Sequence, residues 1–244
     1  DGGDDRVLER GAGEVEALAI SADGAWVAVA GDRLRVLPVA GAGAAVTVLE
    51  DAGDVEDLEF SPDGARLLAR GRGVTALLPV SGAGDRVVLG NEILGQVRWA
   101  SFSPDGAHVL LAREDGPCLL VRSDGQGEPI ALPGTEIGFF QDPLFSPDGS
   151  QVALLSGVVL LPRLDGRGVP DALVAPDVVS RVVWHPDGHE MLVQDMRRGV
   201  TIHPATTAAL RAEACRLAGR ELTGREWVDA FPGEPRRPLC GRSE

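Results

Sequence analysis

"FSPDGARLLARG", residues 60–71, sets a large apolar residue, a tight turn and a short apolar strand in a row. The turn has four near-copies: "ISADG" at 20–24, "FSPDG" at 102–106, "FSPDG" at 145–149 and "WHPDG" at 184–188. In each, proline presets φ where it occurs, serine and aspartate bond nearby backbone, and glycine takes the left-handed position that ends a hairpin turn. The turn residues singled out are therefore Asp23 and Gly24, Asp63 and Gly64, Asp105 and Gly106, Asp148 and Gly149, and Asp187 and Gly188. Successive glycines stand 40, 42, 43 and 39 residues apart, the period of a propeller or another repeat array.

Around each turn the sequence supplies short Val- and Leu-rich runs bounded by Gly, Pro and Asp, as strands buried on both faces should be. One run precedes the turn ("VEDLEF") and one follows it ("ARLLARG"). A third ("VTALLPV") and a fourth ("RVVLG") complete the unit. Four strands in about 40 residues make the blade of a β-propeller. The fold expected is all-β: a propeller of five four-stranded repeats over residues 1–205, as a closed five-blade ring or as part of a larger propeller. Residues 6–10, "RVLER", match the fourth-strand run "VTVLE" at 46–50, and the fifth unit has no fourth run of its own. In a closed ring, residues 6–10 would complete the last blade and remove an open sheet edge.

From Thr206 the pattern turns helical. Leu210, Ala214, Leu217 and Ala218 share a helix face, and Thr223 with Glu226 has the form of a capping box opening a second short helix. Residues 206–244 are expected to form a helical cap and tail.

Bulk properties narrow the function. The net charge is −14, and all 23 basic residues are arginine. An acidic surface repels phosphate backbones and anionic lipids, so neither nucleic acid nor membrane is expected as a partner. No apolar run reaches the ~20 residues that span a bilayer. The chain starts at Asp1 without a methionine nearby, as a processed or excised chain would. Cys118, Cys215 and Cys240 form neither a disulfide framework nor a zinc pattern; pairing of Cys215 with Cys240 stays open.

Catalytic signatures are missing. There is no Gly-x-Ser-x-Gly elbow, and without lysine no phosphate-binding loop or Schiff base can form. His185 and His189 flank a turn instead of sharing a helix face, so no metal is assigned, and no cofactor. A propeller hydrolase would need carboxylates on the first strand of each unit, where Glu16, Glu56 and Asp57 are the candidates.

The tail motif carries a resemblance. Ala214-Cys215-Arg216-Leu217-Ala218-Gly219-Arg220, then Leu222-Thr223, Glu226-Trp227 and Pro232-Gly233-Glu234-Pro235, resemble the C-terminal end of bacterial WD-repeat proteins. In that family the upstream half is often a STAND-type signalling NTPase, sometimes with a protease domain. The "FSPDG" units also resemble TolB-type propeller repeats. The Trp-Asp that often ends the family's third strand is replaced here by Leu37-Pro38, Leu78-Pro79, Val121-Arg122, Leu161-Pro162 and His203-Pro204, and its opening Gly-His is missing. The resemblance implies a cytoplasmic, non-enzymatic propeller. It would serve as the sensor or regulatory end of a signalling or defence protein, with a protein or an upstream domain of the same polypeptide as its partner. An exported TolB-like scaffold is the alternative, and a propeller hydrolase the more remote one.

Overall fold

The computed structural model describes residues 7–8, 14–40, 43–71, 75–90, 96–135, 141–155, 159–162, 164–166, 171–173, 179–195, 199–205 and 223. The described residues are strands, turns and loops, without a helix. The chain divides into two compact units, Asp1–Ala175 and Pro176–Glu244.

The first unit holds four antiparallel sheets of four strands, each laid out in sequence order. The first sheet comprises β1 (Ala17–Ile20), β2 (Trp26–Ala30), β3 (Leu34–Pro38) and β4 (Val46–Leu49). The second comprises β5 (Val55–Phe60), β6 (Arg66–Gly71), β7 (Thr75–Pro79) and β8 (Val87–Gly90). The third comprises β9 (Val97–Phe102), β10 (His108–Arg113), β11 (Cys118–Arg122) and β12 (Ile130–Leu132). The fourth comprises β13 (Gln141–Phe145), β14 (Val152–Leu155), β15 (Val159–Leu161) and β16 (Asp171–Leu173). The second unit holds a three-stranded antiparallel sheet of β17 (Val179–Trp184), β18 (Glu190–Asp195) and β19 (Gly199–Pro204).

The apolar runs are explained by how the four sheets of the first unit stack. Side chains on a strand alternate between the two faces of its sheet. Here both faces are buried, so β10 reads as the continuous run Val109-Leu110-Leu111-Ala112 instead of alternating. Leu111 and Val109 pack with Leu68 and Leu77 of the second sheet, while Leu110 and Ala112 pack with Val152 and Leu154 of the fourth. The second sheet in turn sets Leu58, Phe60 and Leu67 against Ala28, Ala30 and Leu34 of the first. Each fully buried leucine contributes roughly 1.5–3 kcal/mol of transfer free energy. First strands also run beside one another, β1 against β5 and β9 against β13.

Register within the sheets is regular where the apolar pattern is strong. β6 pairs β7 in unbroken register from Arg66↔Pro79 to Arg70↔Thr75. The β5–β6 pair breaks once, between Val55 and Asp57, and so does β9–β10 at Ala112/Arg113. Such bulges bend a strand and re-aim its side chains at the end of the pair. The expected helical cap lies in residues 206–244, which are outside the described residues apart from Thr223.

Candidate interaction surfaces

The strand ends of the first unit form two sets of loops, and the repeated turns make up one of them. In all five turns the glycine N–H bonds the carbonyl three residues back, at 2.8–2.9 Å, and the glycine φ lies between 68° and 73°. In the first four turns a buried serine organises the rest. Ser61 Oγ donates to Asp63 Oδ1 at 2.6 Å and accepts the Arg66 N–H at 2.9 Å. Asp63 Oδ1 also accepts the Ala65 N–H at 3.0 Å. The same set recurs with Ser21 and Asp23, Ser103 and Asp105, and Ser146 and Asp148.

These bonds hold the turn carboxyls below the ordinary aspartate range, led by the serine hydroxyl in the first four turns. Asp148 reaches about 2, because Ser150 adds a backbone N–H and a hydroxyl to it. Each turn aspartate is thus committed to its own loop. Among the described residues, no group of three or more His, Cys, Asp or Glu is placed to hold a metal ion.

The fifth turn puts His185 where the others have serine. His185 Nδ1 lies 2.9 Å from Asp187 Oδ1, and the carboxyl also accepts the His189 N–H at 2.8 Å. Asp187 is held low chiefly by that backbone bond and then by His185.

At the opposite strand ends, Arg70 at the end of β6 gathers the residues considered for hydrolysis. Its Nη1 is 2.9 Å from Glu56 Oε2, and its Nε is 3.8 Å from Asp57 Oδ2. Its guanidinium carbon also stands 5.8 Å from the centre of the Trp99 ring, within cation–π range. Asp57 Oδ1 accepts the N–H of Leu58 at 3.0 Å. Glu56 is thus ion-paired directly with Arg70, while Asp57 lies beyond hydrogen-bond distance of the guanidinium and caps the backbone N–H of Leu58. Glu16 is exposed, with its backbone N–H on Ala30 O. Nearby, Arg98 pairs with Glu114 at 2.7 Å and Arg33 with Glu50 at 3.1 Å.

Among the described residues, Glu59, which no motif marked, is the most perturbed acid. It lies near the end of β5, and its carboxylate accepts from Ser101 Oγ at 3.4 Å and from the Phe102 N–H at 3.3 Å, both on β9 of the next sheet. Burial pushes its pKa up to about 7, against the lowering effect of those two bonds, and Asp57 adds to the rise. A signal was present in the aligned repeats. The residue before the large apolar one is Ala19, Glu59, Ser101, Leu144 or Val183, so Glu59 alone brings a charge to that position.

The tail motif residues Cys215, Arg216, Leu217, Gly219, Arg220, Leu222, Glu226, Trp227, Pro232, Gly233, Glu234 and Pro235 lie outside the described residues; Thr223 is described and exposed.

No protein-family model matches the sequence, and a search of curated proteins finds no significant relative. Among solved structures, the chain is similar to the Cps50 (Swd1) β-propeller domain of Myceliophteria thermophila, with a TM-score of 0.61 at 15% sequence identity. The match covers 80% of this chain and 66% of that one. Identity this low speaks to fold alone, and the fold it shows is the β-propeller.

Proposed function

We propose that this β-propeller is a non-catalytic, WD-repeat-like protein-interaction module of five repeats, acting as the sensor and regulatory part of a bacterial cytoplasmic signalling or defence protein. The observation that carries this reading is how the acids are used. The turn aspartates are committed to their own loops, Glu56 is ion-paired with Arg70, and Asp57 accepts a backbone N–H from Leu58. The loops at the two strand ends are left as recognition surface on a rigid scaffold, which is how loops on such folds commonly serve. Its partner is a protein or an upstream domain of the same polypeptide, and the tail motif at 214–235 is the resemblance that supports the bacterial signalling setting.

The test is made on the full-length product of the gene. ATP hydrolysis and proteolysis by the polypeptide upstream of Asp1 are compared with and without residues 14–205. The expected result is an activity that changes several-fold on deletion. A signal peptide immediately upstream, with export of the product, would overturn the reading in favour of an exported scaffold.

A further inference from the structure

The repeated turn is built on a dipeptide with a chemistry of its own. Glycine has no side chain to shield its amide nitrogen, so in Asp-Gly that nitrogen can attack the carboxyl carbon beside it. Eight Asp-Gly pairs fall among the described residues. The five in the repeated turns are blocked twice. Each glycine N–H already donates to the carbonyl three residues back, and each carboxylate accepts the N–H two residues on. Such bonds favour the ionised carboxylate, which has no hydroxyl to lose. Asp124-Gly125 is blocked in the same way. Its glycine N–H donates to Arg122 O at 3.0 Å, and its carboxylate is paired with the Arg122 guanidinium. Asp165, before Gly166, has an interaction of its own as well.

Asp115-Gly116 differs. It lies in the hairpin between β10 and β11, with Asp115 exposed and Gly116 at φ +87°. Among the described residues, neither the Asp115 carboxylate nor the Gly116 N–H makes a hydrogen bond. The residues on either side are held. Glu114 N–H donates to Gln96 O at 2.8 Å, its carboxylate pairs with Arg98, and Arg113 Nε donates to Pro117 O at 3.0 Å. The hairpin is anchored at both ends, and its Asp-Gly bond is left open.

We propose that Asp115-Gly116 is a modification site, where the chain converts spontaneously to isoaspartate while the Asp-Gly pairs of the repeated turns are protected by their own hydrogen bonds. The Gly116 nitrogen attacks Asp115 Cγ and forms a new N–Cγ bond. The carboxyl hydroxyl leaves and, with the amide proton, becomes water. Water then opens the five-membered succinimide. When the bond from nitrogen to the Asp115 main-chain carbonyl carbon breaks, the product is isoaspartate, with no net change of mass. The negative charge stays, but the backbone gains one carbon beside the Arg98–Glu114 pair. The hairpin at this end of the third sheet is thereby reshaped.

Two neighbouring tryptic peptides supply the test. Residues 99–113 hold Asp105-Gly106 and residues 114–122 hold Asp115-Gly116, each as the peptide's single aspartate. The folded protein is kept at neutral pH and then digested. Isoaspartate is scored by chromatographic separation at unchanged mass. It is scored also by methyl transfer from S-adenosylmethionine with an isoaspartyl methyltransferase, which methylates isoaspartate and not aspartate. The expected result is about tenfold more isoaspartate in 114–122 than in 99–113, the factor implied by one amide hydrogen bond that must first be broken. In the urea-unfolded chain the two peptides are expected to convert alike. Asp115→Glu, which would have to close a six-membered ring, is expected to remove the signal from 114–122. Equal conversion of the two peptides in the folded protein overturns the proposal. So does a 114–122 peptide that stays aspartate in the folded protein and converts only in urea. None of these readings depends on the loops binding a partner, so failure of the signalling role would leave them untouched.

Discussion

Asp148 and Glu59 are both carboxylates, and their surroundings move them in opposite directions. Asp148 collects hydroxyl and backbone donors and sits near 2; Glu59 is buried beside two long hydrogen bonds and sits near 7. Glu59 is therefore protonated more readily in the folded chain than in the unfolded one, whose value is 4.5. Its contribution to stability is fully present below about pH 4.5 and is lost as pH rises through about 7. Glu59→Gln is expected to remove that slope and to be more stable than the parent at pH 8 by about 1–3 kcal/mol, read from urea midpoints at pH 5, 6 and 8. The turn aspartates act in the other direction. Their stabilisation is present above the ordinary aspartate pKa and is lost as pH falls through their lowered values.

Two glycines divide strain from space at the same scale. Gly64 has φ +70° with nothing within 4 Å of an added Cβ, so Gly64→Ala meets only the backbone penalty of about 1–2 kcal/mol. At Gly71 an added Cβ would stand 2.1 Å from Asp54 O, so Gly71→Ala must move backbone. It is expected to cost clearly more in a denaturant titration, although its sequence context looks less special.

Among the elements, one of the shortest strands is held by a side chain instead of by length. β12 has three residues, and the sheet edge beside it is closed by Thr135, which is 1% exposed. Its Oγ1 accepts the Cys118 N–H at 2.8 Å and donates to Leu132 O at 2.5 Å. Thr135→Val keeps the shape but strands a buried N–H, so a loss of about 1–3 kcal/mol is expected by thermal melting, with Thr135→Ser recovering most of it. The strands themselves were legible because turn chemistry and apolar runs repeat in step: "ARLLARG" contains β6 and "VTALLPV" contains β7. What could not be read was anything that depends on strands or sheets meeting across the chain. Arg70 reaches Glu56 across a β-pair, and Arg70–Trp99 and Glu59–Ser101 both cross the junction of the second and third sheets. Those partners lie 14 to 42 residues apart, so local pattern held no trace of them.

For the whole molecule the governing quantity is charge. With 37 acidic residues against 23 basic ones, the chain repels polyanions over much of its surface. It is expected to pass unretained through heparin at physiological salt, and not to sediment with vesicles containing phosphatidylserine. Retention on either would point to a local basic face strong enough to reverse the net field. The same excess makes added salt stabilising through relief of self-repulsion, visible as a midpoint that rises between low and moderate ionic strength.

The Ser–Asp–Gly turn satisfies its polar groups within six residues of chain, from Ser61 to Arg66 in the second sheet. Nothing in it has to be matched by a neighbouring unit. A gene segment encoding one such unit can therefore be duplicated, lost or moved to another place in the array with its hairpin intact, leaving the faces between sheets to fit. A repeat count that drifts between descendants of one ancestor, while the turn stays recognisable, is the history this local self-sufficiency permits.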